Sequence, residues 1–270
     1  MGDDDSVARF YDQLAVDYHL TYADWDASMA RQGEALDAMI QAGLGAGPVS
    51  VLDCSCGIGT QAIGLGRCGH RVTGSDISPV AVGRAAREAA LREVRLPTVA
   101  ADMRQLPFAD ASFDVVVCAD NALPHLLTEE DVLAALAEMR RVLRGGGLLM
   151  ISTRPYDEIL AARPVSTPPQ LARTPGGRAV TFQLWDWHDD GERYDLEFFQ
   201  LLPDGDDWRV KVRRTTYWAL TRRRLTGFVA ETGFIEPEWA APESSGFFQP
   251  LLSARKRQAA TTGDDRDAWR

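Results

Sequence analysis

Lysine is nearly absent from this chain. Only Lys211 and Lys256 occur; the remaining positive charge is arginine, and 29 basic residues stand against 39 acidic ones for a formal net charge of −10. A phosphate backbone is bound by clustered Lys and Arg, so a nucleic acid is not the expected partner. Also missing is any apolar run near the roughly eighteen residues that a membrane span needs. Histidine is scarce: His19, His70, His125 and His188 show no ligand spacing, and no metal site is expected. Of the four cysteines, Cys54 and Cys56 are one residue apart, the wrong interval for a CxxC redox or zinc site. All four are expected to be small buried hydrophobes in a reducing cytoplasm. The N-terminal Met1-Gly2-Asp3-Asp4-Asp5 is acidic where a secretory leader carries positive charge, so export is not expected. Repeats and low-complexity tracts are lacking too.

What is present is an alternation of short apolar runs and helical stretches. Residues 1–46 read as a helical segment, broken at Thr21–Asp26, with Leu36, Met39 and Ile40 at helical spacing from Met29 to Ala42. Strands are predicted at Val49–Cys54, Arg71–Ser75, Pro97–Ala100, Phe113–Ala119 and Leu148–Thr153. Helices are predicted at Thr60–Cys68 and Pro79–Glu93, and from a Thr128 cap to Val142, with a turn at Gly145-Gly146-Gly147. Strand–helix alternation implies a parallel sheet covered on both faces, with ligands at the carboxyl ends of its strands. Beyond Thr153 the pattern becomes β-rich: Val180–Trp187, Tyr194–Leu202 and Trp208–Trp218 are joined by turn signals and should be antiparallel. Thr221 then caps a helix that stops at Gly233. The expected organisation is a helical segment (1–46), an α/β core (47–175), an antiparallel extension (176–220), a closing helix and strand of the core (221–254) and a frayed tail (255–270).

The most informative stretch is Val51-Leu52-Asp53-Cys54-Ser55-Cys56-Gly57-Ile58-Gly59-Thr60, a strand leading through a glycine loop into a helix. Glycine there lets the backbone approach a ligand. Asp76 ends the second strand, where a carboxylate can accept from both hydroxyls of a ribose. Asp102, in Ala101-Asp102-Met103, follows the third strand and can accept from an exocyclic amine. Two cofactors compete for this arrangement. Gly57-Ile58-Gly59-Thr60-Gln61-Ala62 fits a dinucleotide fingerprint, which would make the chain an NAD-dependent oxidoreductase. Asp53 at the strand end would repel a pyrophosphate but suits a ligand bearing an ammonium group, and this favours S-adenosylmethionine.

These residues resemble the first motif of the class I S-adenosylmethionine-dependent methyltransferases, an acid followed by GCGxG, and the likeness extends over about residues 47–153. It implies an α/β, Rossmann-like, seven-stranded, mostly parallel sheet with helices on both faces, here with a helical N-terminal segment and an antiparallel β extension. It also implies S-adenosyl-L-methionine as cofactor and S-adenosyl-L-homocysteine as product. By resemblance Asp53, Gly57 and Gly59 face the methionine portion, Asp76 holds the ribose, Asp102 and Met103 read the adenine, and Ile77 and Ala119 also bind the cofactor. Cys118-Ala119-Asp120-Asn121-Ala122-Leu123-Pro124-His125 and Arg154-Pro155-Tyr156-Asp157-Glu158-Ile159-Leu160 look like the segments after strands four and five in the glycine and sarcosine N-methyltransferase group. So does Arg31, twenty-two residues before Asp53, where the group places an arginine on the cofactor carboxylate.

On the acceptor side the resemblance implies that Asn121, Arg154 and Tyr156 bind substrate, and that Tyr18, Tyr22 or Trp25 closes over the methyl group. Asp120 is a charge where that group has a neutral residue; an acid there favours a cationic amine, such as an amino sugar, a cyclitol or an amino acid-like metabolite. His125 titrates near neutrality. It and Asp120 are candidate bases, with Tyr22 as a third catalytic candidate, although His125 can equally be a packing residue. Trp185, Trp187, Trp208, Trp218, Phe198 and Phe199 either pack the extension onto its neighbours or wall an acceptor pocket. Arg213-Arg214 and Arg222-Arg223-Arg224 are read as solvated faces or intersubunit ion pairs. The expected activity is direct in-line methylation of a small molecule, most readily at nitrogen. O- or C-methylation of a secondary metabolite and a non-catalytic cofactor-binding module stay open, as does assembly into a homo-oligomer.

Overall fold

The computed structural model describes residues 3–174 and 177–258. In chain order it contains α1 (Asp3–Leu14), a 3-10 turn (Tyr18–Thr21), α2 (Trp25–Leu44), β1 (Ser50–Asp53), α3 (Thr60–Arg67), β2 (Arg71–Asp76), α4 (Pro79–Leu91), β3 (Thr98–Ala100), β4 (Phe113–Cys118), a second 3-10 turn (Leu123–His125), α5 (Glu129–Val142), β5 (Leu143–Ser152) and α6 (Tyr156–Ala162). There follow β6 (Gln170–Thr174), β7 (Gly177–Trp187), β8 (Arg193–Asp204), β9 (Asp207–Trp218), α7 (Arg222–Glu231), β10 (Phe234–Ala240), α8 (Pro242–Ser245) and β11 (Leu251–Lys256).

Seven strands form the main sheet in the order β10-β11-β5-β4-β1-β2-β3. β3, β2, β1, β4 and β5 are parallel neighbours, whereas β11 runs antiparallel to both β5 and β10. Strands buried on both faces read as unbroken apolar runs, and Val115, Val116, Val117 and Cys118 of β4 are fully buried. This is the Rossmann-like arrangement that the alternation implies. The chain order reverses beside β1, whose neighbours are β2 and β4, so a crevice opens at the carboxyl ends of these strands.

Local chemistry sets the helix starts. Thr128 Oγ1 accepts from the Asp131 amide and donates to Asp131 Oδ2 (2.7 Å), closing a reciprocal cap on α5. Ser78 and Thr221 cap α4 and α7 in the same one-sided way, by accepting from Ala81 and Arg224 amides. α2 starts earlier than its periodicity suggests, because Asp24 accepts from the Ala27 amide at 2.9 Å. It crosses α3 at bare backbone: a Cβ on Gly33 would come within 2.5 Å of the Gly64 carbonyl carbon, and one on Gly64 within 2.4 Å of the Met29 oxygen.

Five features depart from the expectations. The antiparallel extension has four strands, not three; β6 is a polar edge strand (Gln-Leu-Ala-Arg-Thr) behind two prolines and carries little alternation to read. Gly145-Gly146-Gly147 is not a turn before a strand but lies inside β5, at a register shift against β4. The closing segment holds two strands: β10 includes Pro237, tolerated because the strand lies at the sheet edge and is irregular between Ile235 and Glu238. β11 continues to Lys256, two residues into the stretch read as a tail, whose residues 259–270 lie outside the described ones. Among the described residues no helix is long and apolar enough to cross a membrane. Cys54, Cys56 and Cys118 are buried as expected, but Cys68 is exposed, since it follows the last turn of α3 at the surface.

The extension folds over the crevice. Its inner face carries Trp185, Tyr194, Leu196, Phe198 and Tyr217, packed on Phe10 and Leu14 of α1 and on Tyr156 of α6. α1 is also fastened to the main domain at both ends of a short contact. Asp12 Oδ1 accepts from the Ser78 hydroxyl (2.5 Å) at the start of α4, and Arg84 of α4 donates to the Ala15 and Val16 carbonyls just past the end of α1.

Candidate functional site

Two cavities meet at the carboxyl end of the main sheet. The first, a cleft of about 770 Å³, is walled by the β1–α3 loop (Ser55, Cys56, Gly57), by Asp76 and Ile77 after β2, and by Asp102 and Met103 after β3. Ala119, Asp120 and His125 after β4 close it on the far side. The second, about 1460 Å³, lies between this end of the sheet and the extension, and takes in Arg31, Asn121, Arg154, Gln183, Phe198 and Gln249. Tyr11, Tyr18, Tyr22 and Asp120 line both. Whatever passes from one cavity to the other passes these four side chains.

In the first cleft, Gly57 has φ +51 and puts its amide on Asp76 Oδ2 at 2.8 Å, while Asp76 Oδ1 accepts from the Ser78 amide at 2.9 Å. Burial raises the pKa of Asp76, and these two amide donors work against that rise. Asp102 also faces the cleft, but its carboxylate is held by the Arg104 guanidinium two residues on (2.6 Å), which in turn reaches Asp131 at 2.7 Å. A carboxylate offers about four lone-pair sites, so Asp102 keeps accepting capacity.

Asp53 does not reach the cleft wall. It is fully buried beneath the loop, Oδ1 accepts weakly from the Ser55 amide (3.4 Å), and Oδ2 has no partner. Burial pushes its carboxyl up to about 7. Gly59 likewise stays off the wall. At φ +96 it is the left-handed cap of α3, and a Cβ there would meet Ile63 at 2.9 Å, so it serves the turn.

Where the cavities join, Asp120 and Asn121 are consecutive non-glycine residues in the left-handed region, at φ +55 and +64. Such backbone is costly and is held only by surrounding bonds. The Asp120 amide donates to Ser152 Oγ (2.8 Å), the Asn121 amide to the Ser152 carbonyl (3.2 Å), and the Arg154 amide to Asn121 Oδ1 (3.0 Å). Ser152 Oγ in turn donates to Gln249 Oε1 (2.8 Å), whose amide nitrogen returns to Asp120 Oδ1 at 3.4 Å. Tyr18 and Tyr22 donate to Asp120 Oδ2 at 3.3 and 3.2 Å. Burial pushes the Asp120 carboxyl up to about 6, moderated by the Tyr22 hydroxyl and by the positive charge of Arg154. Asn121 Nδ2 is buried with no partner.

Arg154 is held from four sides. It donates to Tyr194 Oη (2.9 Å) and Gln183 Oε1 (3.1 Å), and its guanidinium lies 4.9 and 5.0 Å from the Trp185 and Tyr217 ring centroids. His125 sits in a different setting. Nε2 pairs with Tyr11 Oη at 2.8 Å and Nδ1 with Thr215 Oγ1 at 3.3 Å, and burial lowers its pKa to about 3. An imidazole engaged at both nitrogens and neutral throughout the physiological range anchors α1 and is poorly suited to collecting a proton.

Four further placements differ from expectation. Trp25 lies behind the site: its indole N–H donates to Thr60 Oγ1 (2.9 Å), and Arg84 and Arg92 cover its ring, so it ties α2 to α3. Tyr156 is buried behind Arg154 with its hydroxyl 3.1 Å from that of Tyr194. Arg31 lines the second cavity and not the cleft, beside Gln32, whose side-chain oxygen accepts from Gln61 of the cleft wall at 2.7 Å. Arg213, read as solvated, is buried against Gln200 and Asp17, since its strand position turns it inward. Sequence reasoning passed over Tyr11 and Gln249. Tyr11 lies on a helix read only as helical. Gln249 is a neutral amide 129 residues from the carboxylate that it touches, with no local signal.

Residues 51–147 match the family described as "Methyltransferase domain". The glycine/sarcosine N-methyltransferase of Parasynechococcus marenigrum (strain WH8102) is 36% identical over 138 residues, 51% of this chain and 48% of that protein. A demethylmenaquinone methyltransferase of Beutenbergia cavernae is 36% identical over 160 residues, 57% of this chain and 61% of that protein. The chain thus spans about half to three-fifths of the length of the curated relatives it matches. Among solved structures, the S-adenosylmethionine-bound amino pentose methyltransferase from Micromonospora echinaspora superposes with a TM-score of 0.70 at 20% identity, covering 89% of this chain and 95% of that one. DesVI of Streptomyces venezuelae superposes with 0.72 at 18%, covering 93% and 98%. At these identities the superpositions establish the fold. With the sheet order, the glycine loop and the acid that ends β2, the match identifies residues 51–147 as a methyltransferase domain, on a fold shared with S-adenosylmethionine-bound methyltransferases.

Proposed function

We propose that this protein methylates a nitrogen of a small amine acceptor, with the cofactor in the first cleft and the acceptor in the second cavity. The observation that carries the reading is the junction itself. Of the four side chains common to both cavities, three are tyrosines and the fourth is Asp120, a carboxylate whose ionisation falls near neutrality.

The residues present suit the cofactor. Asp53 Oδ2 is a buried acid oxygen without a partner beneath the loop, and its charge there suits a cationic amino group in the cleft above. Asp76 is placed for a ribose diol, with Asp102, Ile77, Met103 and Ala119 around the adenine position. S-adenosylmethionine bound there supplies a methyl group already activated on a sulfonium. The protein's part is to align the nucleophile and exclude water, which intramolecular models value at about 7–11 kcal/mol when the geometry is right. Tyr11, Tyr18 and Tyr22 wall the junction, and the last two orient Asp120 by donating to one of its oxygens. Ionised Asp120 attracts an ammonium to the junction and takes up the proton that the amine must shed before it attacks. Asn121 Nδ2 and Arg154 hold the remainder of the acceptor; an oxyanion suits the guanidinium, which has no carboxylate within ion-pair distance among the described residues. A carbon or oxygen acceptor is the second reading. It draws on the apolar side of the second cavity, where Phe10, Phe182, Phe198 and Phe248 would suit a ring.

The test begins with calorimetric titration of S-adenosylhomocysteine into wild-type protein and Asp76→Ala, followed by mass-spectrometric screening of amine and phenol panels for a single methyl gain. Tight product binding with methylated amines is the expected result. Methylated phenols alone would replace the nitrogen reading, and heat with NAD⁺ in place of the homocysteine compound would remove it altogether.

A further inference from the structure

The 3-10 turn at Tyr18–Thr21 leads from one junction tyrosine to the other, and it is rooted in the extension. Leu20 is buried against Ala172 of β6, Ala179 of β7 and Leu202 of β8. Asp17, the residue before the turn, reaches β9: its Oδ2 accepts from Lys211 Nζ and lies 3.5 Å from Arg213 Nη2. The Asp17 carbonyl accepts from Gln200 Nε2 of β8 at 3.2 Å, and Arg213 Nη1 donates to Gln200 Oε1 at 2.5 Å. Within the turn, the Leu20 amide donates to the Asp17 carbonyl (2.9 Å) and the Tyr22 amide to the His19 carbonyl (3.2 Å). Thr21 Oγ1 donates to the Tyr18 carbonyl at 2.7 Å. The stretch from Asp17 to Tyr22 is thus bonded into one piece, anchored at its first residue and ending in a tyrosine on Asp120.

Lys211 and Arg213 stand two residues apart on β9, so they share a face, where like charges repel unless an acid lies between them. Asp17 is that acid, and the only carboxylate paired with either cation among the described residues. Arg213 and Gln200 are buried. Burial lowers the Arg213 pKa, and the charge of Asp17 works against that fall. Apolar groups in place of such a buried cluster are often neutral or stabilising, so stability is a poor account of it and a single fixed geometry is a better one.

We propose, on the reading of Asp120 as the base, that Arg213, Lys211 and Gln200 are positioning residues for methyl transfer: by gripping Asp17 they hold Tyr18 and Tyr22 on Asp120, and the junction is assembled only while the extension is seated. None of the three lines either cavity, so they act through the turn. An extension that lifts from the core takes the roots of both tyrosines with it. The Tyr18 and Tyr22 hydroxyls favour ionised Asp120, as do Arg154 and Gln249, while Tyr11 and Tyr217 face it from α1 and β9. Losing two donors leaves Asp120 more fully protonated at neutral pH, and so less able to take a proton.

Hydrogen exchange and pH profiles test this together in Asp17→Ala/Arg213→Gln, a double variant that strands no buried charge and leaves Gln200 an amide partner. Exchange of the Leu20 and Tyr22 amides is expected to rise about tenfold, with the β4 amides unchanged. For an amine acceptor kcat should fall about ten- to a hundredfold, the scale of a displaced catalytic group. The acid limb of kcat/KM should move to higher pH. Arg213→Lys, which keeps a cation beside Asp17, should stay close to wild type in both readouts. Unchanged exchange at Leu20 and Tyr22, or an unmoved limb, overturns the proposal. So does exchange raised equally in β4, which would make the cluster a stabiliser of the whole fold. Exchange is read without an acceptor, so a loosened turn in a protein that methylates phenols alone would remove the nitrogen reading, while the limb measured on the phenol still decides the proposal.

Discussion

The two cavities are built in different ways. Apart from the tyrosines that it shares with its neighbour and Val7 of α1, the first cleft draws its walls from residues 54–126: the ends of four adjacent parallel strands, the loops and the 3-10 turn after them, and the start of α3. The second cavity takes side chains from α1, α2, the β4 and β5 loops, all four strands of the extension and the loop before β11, spread from Phe10 to Gln249. A cleft of the first kind follows from strand order alone. A cavity of the second kind exists only after the extension and the N-terminal helix have closed on the core, so its contents can change while the cleft is unaltered.

Substitutions can break that contrast or sharpen it. The largest effect is expected at the junction: Asp120→Asn should lower kcat/KM for an amine about 10²- to 10⁴-fold, the usual range for a lost general base. Binding of S-adenosylhomocysteine should change little. In wild-type protein kcat/KM should rise with pH as Asp120 ionises near pH 6, and Asp120→Asn should lack that limb. Next is Asp76→Ala, which removes an acid held by two backbone amides and should weaken the homocysteine product about 100-fold by calorimetry. If acceptor KM moved as much as product affinity, the independence of the two cavities would be lost. Gln249→Leu is a smaller change with a directional reading. It removes a donor that favours ionised Asp120, so the limb should move to higher pH with only a few-fold loss at pH 8. The other groups that act on Asp120 (Tyr11, Tyr18, Tyr22, Tyr217 and Arg154) stay in place in that variant. His125→Gln should have the smallest effect on the pH profile, leaving the limb near pH 6 in place. A limb that vanished in His125→Gln but survived in Asp120→Asn would reverse the assignment of the base.

The sequence made the cleft legible because its signals are local. Asp53, the glycines and Asp76 lie at the ends of strands that announce themselves as apolar runs, and a cap such as Thr128 is read from four consecutive residues. Locality says less about how Asp53 is placed. Strand position puts an acid at the sheet's carboxyl end, but only packing shows that it lies beneath the loop and not on the cleft wall. Trp25 and Tyr156 are a further case, since an aromatic near a site by sequence can as well be its support. The Asp120–Gln249 contact and the inward turn of Arg213 depend on tertiary closure, which no periodicity encodes. β6 went unread because an edge strand needs only one partner and little hydrophobicity.

The bare crossing of α2 over α3 has a consequence for how such a protein can diversify. Arg31 and Gln32 ride on α2, and the glycine loop after β1 runs directly into α3, so Gly33 and Gly64 fix the spacing between a wall of one cavity and the floor of the other. No side chain takes part in that contact, so none is available there for gradual adjustment. Even a methyl group at either position would force the two helices apart. The acceptor range is therefore free to drift through the extension and the N-terminal helix, on a reference length that tolerates no drift at all.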